Sequence, residues 1–327
     1  MITIAPTNMR TMDTDICEMA SYEPGTGRVT CTTPLTGYHF GSDTSTEGVY
    51  GVDMRAEVAL LSRNIQITAS QHDISHTARE PWGCRILVSD FFESNAEMTM
   101  RIGRLNMDYV DVYRCGQKFT WKSAIKWENA LMGQSTVSNS AIHQGRSPGI
   151  IITRSMNIGL FNNVIVDFAE HGVWVQNSKG LTINNNWLFH VIEQADKTPE
   201  MLVYFGWKGG FTLSEGNSDM QVRNNLVAGT WHHGFHFIPT RCGDQNPDFV
   251  FEGNLAHSIS GYGAVAMNVA NACTEVRDFT AWKVTEASIM LGGPSKINRG
   301  INQVSIDTRY GIAIHSANGG RAEVIDS

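Results

Sequence analysis

A repeat of about 23 to 24 residues constrains this 327-residue chain more than any other sequence feature. Its first marker is an Asn or small polar residue between alternating apolar residues, at Ser140, Asn163, Asn186, Asn225 and Asn254. Successive members are 23, 23, 39 and 29 residues apart. The second marker is a Gly before an alternating apolar run, at Gly149, Gly172, Gly210, Gly234, Gly263 and Gly311. Both markers have the same period and the same insertions, and Ala287 fills the position 24 residues after Gly263 and 24 before Gly311.

This repeat predicts an all-β fold, a right-handed parallel β-helix with coils of about 23–24 residues and two loop insertions. Each coil holds short strands that are too small to bury an apolar face alone, so the coils must stack. We expect one domain over residues 1–327, with irregular N-terminal coils or a cap at 1–105 and regular coils at 106–327. Asn suits the left-handed turn between strands and can form a hydrogen-bonded ladder, whereas Gly suits a sharp bend. We therefore expect Asn163, Asn186, Asn225 and Asn254 to stack at one corner.

Composition limits the classes of partner and cofactor. The net charge is −7 and the sequence pI is near 5.9, and no basic stripe is visible, so nucleic acid is not an expected partner. No apolar run reaches the length of a membrane-spanning helix, and Met1–Pro6 does not begin a signal peptide. No zinc pattern, phosphate loop or dinucleotide fingerprint occurs, so we expect no metal and no cofactor.

The six cysteines, at wide spacing, indicate either three disulfides or buried free thiols. They are Cys17, Cys31, Cys84, Cys115, Cys242 and Cys273. Cys242 and Cys273 follow their Gly markers by 8 and 10 residues, in equivalent parts of adjacent coils. A Cys242–Cys273 disulfide is therefore expected.

The insertions, within His190–Lys208 and within Pro239–Asp248, are where a solenoid commonly carries its function. Nearby acid and base side chains make catalytic candidates of Asp167, Glu170, His171, His232 and His233. In register the His171 and His232–His233 turns lie two coils apart, roughly 10 Å, which suits acid/base chemistry on a sugar chain. The same residues suit ordinary polar turns. The binding candidates are Trp174, His236, Glu193 and Asp196, because an outward Trp stacks on sugars or covers a neighbouring insertion.

Roughly residues 25–315 resemble the stretch after the eight-glycine domain in fibrocystin-like proteins. The resemblance lies in Gly27–Leu35, Glu57–Ile65, Gly83–Val88 and Tyr109–Gln117, and it continues through Asn225–His236, Cys242, Asn254–Ser258 and Cys273. It implies a β-helix in a large, mostly extracellular surface protein with adhesive or receptor-like roles. More distantly, the chain is similar to the cell-surface and secreted hyaluronidases, which carry a Tyr-Pro-Ile-His-Phe-His-like run. Here Ser123–Glu128 takes that place without either His.

Two hypotheses about function follow. The first is an extracellular or cell-surface module for adhesion, scaffolding or glycan binding, whose partners are glycans or other extracellular proteins. The second is a polysaccharide-degrading enzyme, a hydrolase or lyase, with a groove along one sheet. A stacked carboxylate cluster in a cleft would favour the enzyme, and a smooth surface with an Asn ladder would favour the module.

The coil at Val304–His315 is as apolar and regular as those in the middle of the chain. An uncovered coil leaves strand edges unpaired, so we expect continuation in a longer chain or end-to-end self-association, as in a filament. The alternative is that residues 316–327 fold back as a plug. Analytical ultracentrifugation distinguishes the two: a strictly monomeric chain at high concentration contradicts self-association.

Overall fold

A computed structural model describes most of the chain, and the described residues contain strands and no helix. The residues that it describes are 1–44, 51–69, 83–94, 98–118, 120–145, 147–193, 207–238, 249–267, 273–293, 297–316 and 321–325. Within these ranges there is accordingly no helix that could cross a membrane.

The strands are short except near the C-terminus, where two are long and bent. The N-terminal strands are β1 (Ile2–Ile4), β2 (Asp15–Cys17), β3 (Met19–Glu23), β4 (Arg28–Cys31), β5 (Val58–Leu60), β6 (Ile65–Thr68), β7 (Ile86–Val88), β8 (Phe91–Phe92) and β9 (Met100–Arg101). The central strands are β10 (Asn106–Asp108), β11 (Val110–Tyr113), β12 (Ile125–Glu128), β13 (Ser135–Ser138), β14 (Ala141–His143), β15 (Ile150–Thr153), β16 (Ile158–Phe161), β17 (Val164–Ala169), β18 (His171–Gln176), β19 (Lys179–Asn184) and β20 (Trp187–Ile192). The remaining strands are β21 (Gly209–Leu213), β22 (Ser218–Arg223), β23 (Leu226–Thr230), β24 (His233–Phe237), β25 (Phe249–Glu252), β26 (Leu255–Ile259), β27 (Ala264–Met267), β28 (Cys273–Arg277), β29 (Thr280–Gly293), β30 (Ile297–Ile301), β31 (Val304–Ser316) and β32 (Arg321–Ile325).

Stacked coils form three parallel sheets. The first sheet has nine strands in the order β10-β13-β16-β19-β22-β25-β28-β30-β32. The other two sheets meet at the long strand β29: the second is β6-β11-β14-β17-β20-β23-β26-β29 and the third is β7-β12-β15-β18-β21-β24-β27-β29. Strand β31 pairs with β29 in parallel and extends both. The predicted right-handed parallel β-helix is confirmed.

The interior of the prism is dry and apolar. One side chain in two along each strand points inward, so that Ile125 and Trp127 in β12 and Val173 and Val175 in β18 are fully buried. Aromatic rings fill the C-terminal coils, and Phe235 packs against its neighbours in three stacked or edge-on pairs. This alternation fixes which side chains face outward on every coil.

A ladder of buried amides occupies the corner between the first and second sheets. The side-chain oxygen of each Asn accepts the backbone N–H of the equivalent residue in the preceding coil, from Ser140 to Asn163 (3.1 Å) and onward to Asn254. Each amide nitrogen donates to a backbone carbonyl of the coil before it, as Asn186 does to Leu160 (2.9 Å). The predicted stack of Asn163, Asn186, Asn225 and Asn254 is confirmed.

The left-handed turn lies one residue before the ladder, on a separate row of side chains. Asn162, Asn185 and Asn224 have φ angles of 54°, 57° and 53°. Asn tolerates this conformation because its short polar side chain can interact locally. In each of these asparagine pairs, the first residue therefore forms the turn and the second belongs to the ladder.

The glycines before the third sheet form a row of close approaches between coils. A Cβ on Gly172 or Gly210 would meet the carbonyl oxygen of the next glycine in the row at 2.9 or 2.7 Å. A Cβ on Gly263 would meet the carbonyl oxygen of Ser288 at 2.5 Å. Ser288, not Ala287, therefore occupies this row, because a register shift between Val284 and Ala287 lengthens the coil by one residue. The predicted position of Ala287 is wrong by one residue.

The N-terminal residues add a layer on the side of the solenoid. Strands β2, β1 and β5 form an antiparallel sheet, and Ala59 and Leu61 beside it pack on outward residues of the second sheet such as Val166 and Phe189. Glu57 in this layer also bonds to the buried His257 (3.0 Å). Strands β6 and β7 instead form the first described coil, through parallel pairing with β11 and β12.

Two disulfides join described cysteines, and both lie in the N-terminal part of the chain. Cys17 pairs with Cys31, at a Cα–Cα distance of 5.6 Å, and Cys84 pairs with Cys115. Cys242 lies outside the described residues, so the Cys242–Cys273 pairing stays a prediction.

Replacing Asn186 by Ala tests the ladder. The change removes the acceptor for the buried N–H of Asn163 and the donor to Leu160, and it leaves both groups unpaired. We expect a loss of about 2–4 kcal/mol in the free energy of unfolding, measured by urea denaturation. Asn162→Gly, which keeps the adjacent left-handed turn, is the matched control and should change stability by less than about 0.5 kcal/mol. Equal losses in the two variants would contradict the ladder's role.

Candidate functional site

The outward face of the third sheet carries two adjoining groups of side chains. The first, here called the charged groove, is a depression of about 280 Å³. The groove residues that matter for its chemistry are Trp121, Lys126, Glu128, Arg154, Trp174 and Gln176. The second, here called the histidine cluster, consists of Glu170, His171, Lys208, His232, His233 and His236.

Strand alternation positions the groove. Because Ile125 and Trp127 point into the core, Lys126 and Glu128 point outward from β12. Two coils further along, Trp174 faces outward from β18, in register with Lys126 through Ile151. The register continues from Trp174 through Thr212 to His236, so that one outward row connects the groove to the histidine cluster.

Glu128 is the electrostatic centre of the charged groove. Its carboxylate accepts a hydrogen bond from the Lys126 ammonium (2.9 Å) and forms an ion pair with the guanidinium of Arg154 (3.2 Å). The hydrogen bond from Lys126, aided by the positive charges of Arg154 and Arg85, holds the pKa of Glu128 below its usual value despite partial burial. Three cations therefore surround one ionised carboxylate.

Aromatic rings form the boundary between the groove and the histidine cluster. The rings of Trp121 and Trp174 lie 5.3 Å apart, and His171 stacks on Trp174 at 5.7 Å. Trp174 donates its indole N–H to Ser214 (2.9 Å) and is only 6% exposed. Trp174 is thus almost fully covered, and Trp121 is the more exposed of the two rings.

Three histidines of the cluster, His171, His233 and His236, are buried and neutral near pH 7. His171 bonds through Nδ1 to the Thr212 hydroxyl (2.9 Å), and His236 stacks against Trp207 (5.6 Å). Burial, aided by neighbouring basic side chains, lowers the pKa of His171, His233 and His236 to about 3 each. Within the described part of the chain, neither ring nitrogen of His236 has a hydrogen-bond partner.

An ion-pair network links the charged members of the histidine cluster to Glu193. The ammonium of Lys208 pairs with the buried carboxylate of Glu170 and lies 3.6 Å from Glu193. Glu193 in turn lies 3.8 Å from the ring of His232. Both carboxylates therefore lie beside a basic side chain.

The structure brings most of the predicted site residues together. His171 and His233 lie two coils apart, in register through Gly209, as expected. Among the candidates, Asp167 pairs separately with His190 (3.0 Å), at the bend between the second and third sheets. Asp196 lies outside the described residues. Whether these residues catalyse or bind stays a prediction.

The charged groove was not predicted as a site from the sequence. Lys126 and Glu128 belong to Ser123–Glu128, the stretch that lacks the histidines of the hyaluronidase run. Their alternation with Ile125 and Trp127 does indicate that both face outward. The contributions of Trp121 and Arg154, however, depend on how neighbouring turns pack. Among the described residues no group of three or more His, Cys, Asp or Glu side chains could hold a metal ion.

Sequence comparison relates the chain to named proteins. A family described as "Right handed beta helix region" matches residues 116–237. Fibrocystin of Canis lupus familiaris is 30% identical over 254 residues, 77% of this chain and 6% of that protein. Fibrocystin of Mus musculus is 28% identical over 283 residues, 83% of this chain and 6% of its own length. Fibrocystin-L of Homo sapiens is 25% identical over 241 residues, which are 70% of this chain and 6% of that protein. The chain thus spans a small part of the length of these relatives.

Two solved structures align with about two thirds or more of the chain at low similarity. The catalytic domain of a GH87 α-1,3-glucanase in complex with tetrasaccharides aligns with 74% of this chain and 51% of its own, at 13% identity and a TM-score of 0.39. PfbA, a surface adhesin of Streptococcus pneumoniae, aligns with 68% of this chain and 82% of its own, at 8% identity and a TM-score of 0.21. The sequence matches confirm the resemblance noted above: over most of its length this chain is similar to fibrocystins, and its fold is a right-handed parallel β-helix.

Proposed function

We propose that this chain is an extracellular glycan-binding module, and that its charged groove takes an anionic segment of a polysaccharide. The observation that carries the proposal is the groove itself. It combines an accessible aromatic ring, Trp121, with two cations, Lys126 and Arg154, on the outward face of a rigid sheet. Aromatic rings stack on the apolar faces of sugars, and fixed cations attract carboxylate or sulfate groups.

Charge supports an anionic ligand. Lys126, Arg154 and Arg85 act on the single carboxylate of Glu128, which leaves a local excess of two positive charges on a chain whose net charge is −7. Such a local excess steers and orients anionic ligands even where the whole protein is acidic. The open groove would admit a segment of a long polymer without enclosing its ends.

Electrostatics supports binding over cleavage. General acid catalysis on a glycoside requires a carboxyl group with a raised pKa, whereas the pKa of Glu128 is lowered by Lys126. Glu170 is paired with Lys208. Histidines with a pKa of about 3, such as His171, are weak bases near neutral pH. The polysaccharide-degrading alternative remains the competing proposal for the same face.

Two disulfides support an extracellular location. Disulfides such as Cys17–Cys31 and Cys84–Cys115 persist in oxidising compartments and are rare where thiols are kept reduced. The relationship to fibrocystins is consistent with such a location for this module. A surface protein can use it for adhesion or scaffolding through the glycan that it binds.

Replacing Glu128 by Gln distinguishes the two proposals. The change removes the negative charge that pairs with Lys126 and Arg154, so affinity for oligosaccharides of polygalacturonate or hyaluronan should increase roughly three- to five-fold. Arg154→Gln should decrease it by a similar factor. Calorimetric titration measures both, and the gain should shrink as salt is added.

Glu252→Gln is the matched control, because Glu252 also pairs with an arginine, Arg223, but lies on the first sheet. It should leave affinity unchanged. A loss of binding in Glu128→Gln would contradict the proposed groove. Shortening of the polymers by the unmodified chain, abolished in Glu128→Gln, would instead establish the enzymatic alternative; size-exclusion chromatography measures polymer length.

The buried histidines predict a protein that loses stability in acid. Their pKa is about 3 in the folded chain and about 6.5 when unfolded, so the unfolded chain binds more protons between these values. Their contribution is complete above pH 6.5 and declines as the pH falls, by roughly 1–2 kcal/mol for each histidine at pH 5. Urea denaturation at pH 7 and pH 5 measures this, and His236→Phe should reduce the difference. His315→Phe, at an exposed position, should not; an equal pH dependence in all three proteins would refute the assignment.

A further inference from the structure

At the corner between the first and second sheets, one residue is of a type that does not suit its backbone conformation. Each coil has a left-handed residue there, and the later coils use the types that tolerate it: Asn139, Asn162, Asn185, Asn224, Gly253, Asp278 and Asn302. In the first coil of the row the residue is Tyr109, with a φ of 54°. A bulky aromatic residue is strained in this conformation, and such strain is often retained where a side chain has a function.

Burial in the core does not explain the presence of a tyrosine at position 109 either. Its side chain is 61% exposed, so the ring contributes little to the core. Asn at this position would relieve the strain at little cost in buried area, and Asn occupies the equivalent position in the next four coils of the row. The ring of Tyr109 is therefore best explained by something that it contacts outside the described fold.

Tyr109 borders a second depression, here called the corner groove, with a volume of about 550 Å³. Its floor is apolar and includes Leu60 from the N-terminal layer and Val164 from β17. A second aromatic ring, Trp187, lines the same groove. The outward amides of Asn162 and Asn185 form its polar edge.

The corner groove is almost uncharged, unlike the charged groove on the third sheet. Its only ionisable lining residues are Tyr109 and Arg63, and the Arg63 guanidinium donates to the backbone carbonyls of Asn139 (2.9 Å) and Leu60 (2.8 Å). No carboxylate lines it within the described residues. The corner groove is thus not suited to select a ligand by its ionic groups.

The spacing of the polar and aromatic groups suits an extended ligand. Asn162 and Asn185 lie in adjacent coils, and Tyr109 lies two coils before Asn162 through the register of β10, β13 and β16. Coils in a parallel sheet are about 4.8 Å apart, so Tyr109 and Asn185 are separated by roughly 14 Å along the axis. Two aromatic rings near the ends of this length, with the amide of Asn162 between them, match a chain of sugar rings, each with an apolar face and hydroxyls at its rim.

We propose that the corner groove binds a neutral oligosaccharide, which stacks on Tyr109 and Trp187 while its hydroxyls bond to the amides of Asn162 and Asn185. This site is separate from the charged groove and does not depend on it. It lies at a corner of the solenoid and not on the face of the third sheet. It also consists of different residues and would take a ligand without charge. A glycan-binding module with both sites would contact two kinds of sugar at once.

Tyr109→Asn is the decisive variant, because the substitution supplies the residue type that this backbone position prefers. The unfolding temperature should stay the same or increase, while affinity for the oligosaccharide that binds, from a panel of cellohexaose, mannohexaose and chitohexaose, should fall roughly ten-fold. Differential scanning calorimetry and calorimetric titration measure the two effects. A lower unfolding temperature with unchanged affinity would show that Tyr109 is structural and would overturn the proposal.

A pair of glycine variants tests the amide edge. Asn185→Gly and Asn224→Gly both keep the left-handed turn, but only Asn185 lines the groove. Affinity should fall several-fold in the first and stay unchanged in the second, and Glu128→Gln should leave neutral-sugar binding unaffected. Equal effects of the two glycine variants, or no binding of any panel member at millimolar concentration, would refute the site. Loss of anionic binding alone would contradict only the charged groove.

Discussion

The buried amide ladder is the interaction on which the rest of this structure depends. Apolar alternation opposes a slip of one residue between coils, because such a slip would turn the buried side chains outward, but a slip of two residues keeps the alternation and costs little buried area. The ladder from Asn163 to Asn254 opposes both slips, because either would leave several buried amide groups unpaired at once. A second, shorter polar ladder fixes another corner, where Ser155 and Ser178 accept from one coil and donate within their own. Fixed register then determines which side chains face outward together.

The sequence predicted the fold well because its constraints are local and repeated. Asn and Gly recur at fixed intervals for reasons of backbone conformation and close approach, so their spacing is visible without knowing any partner. The one error of register, at Ala287, falls where a coil accommodates an extra residue by a shift in pairing, which leaves no marker of its own. The N-terminal layer was not predicted as such. Its antiparallel strands have no repeat, and its position depends on contacts such as Glu57 with His257 that join residues 200 positions apart.

The candidate sites could be predicted only in part, since outward surfaces are under weaker local constraint. Alternation alone indicates that Lys126, Trp174 and His236 face away from the core. It does not indicate what covers them. The alternation of Trp174 with buried valines predicts an exposed ring. In the structure this ring packs against Trp121 and His171 and donates a hydrogen bond to Ser214. Neutrality of the histidines likewise follows from burial, which no spacing rule reveals.

The distribution of charge over the three sheets would allow the two proposed glycan sites, one for an anionic and one for a neutral ligand, to share one module. The N-terminal layer covers much of the outward face of the second sheet with apolar contacts, and its edge near Leu60 creates the uncharged corner groove. The third sheet lies away from that layer, and there the pairing of Lys126 and Arg154 with Glu128 can remain partly exposed to water. Because both surfaces are built on one stack whose register is fixed, their separation is rigid. A polymer that carries neutral and anionic segments would therefore be held at a defined spacing, which a flexible pair of domains could not impose.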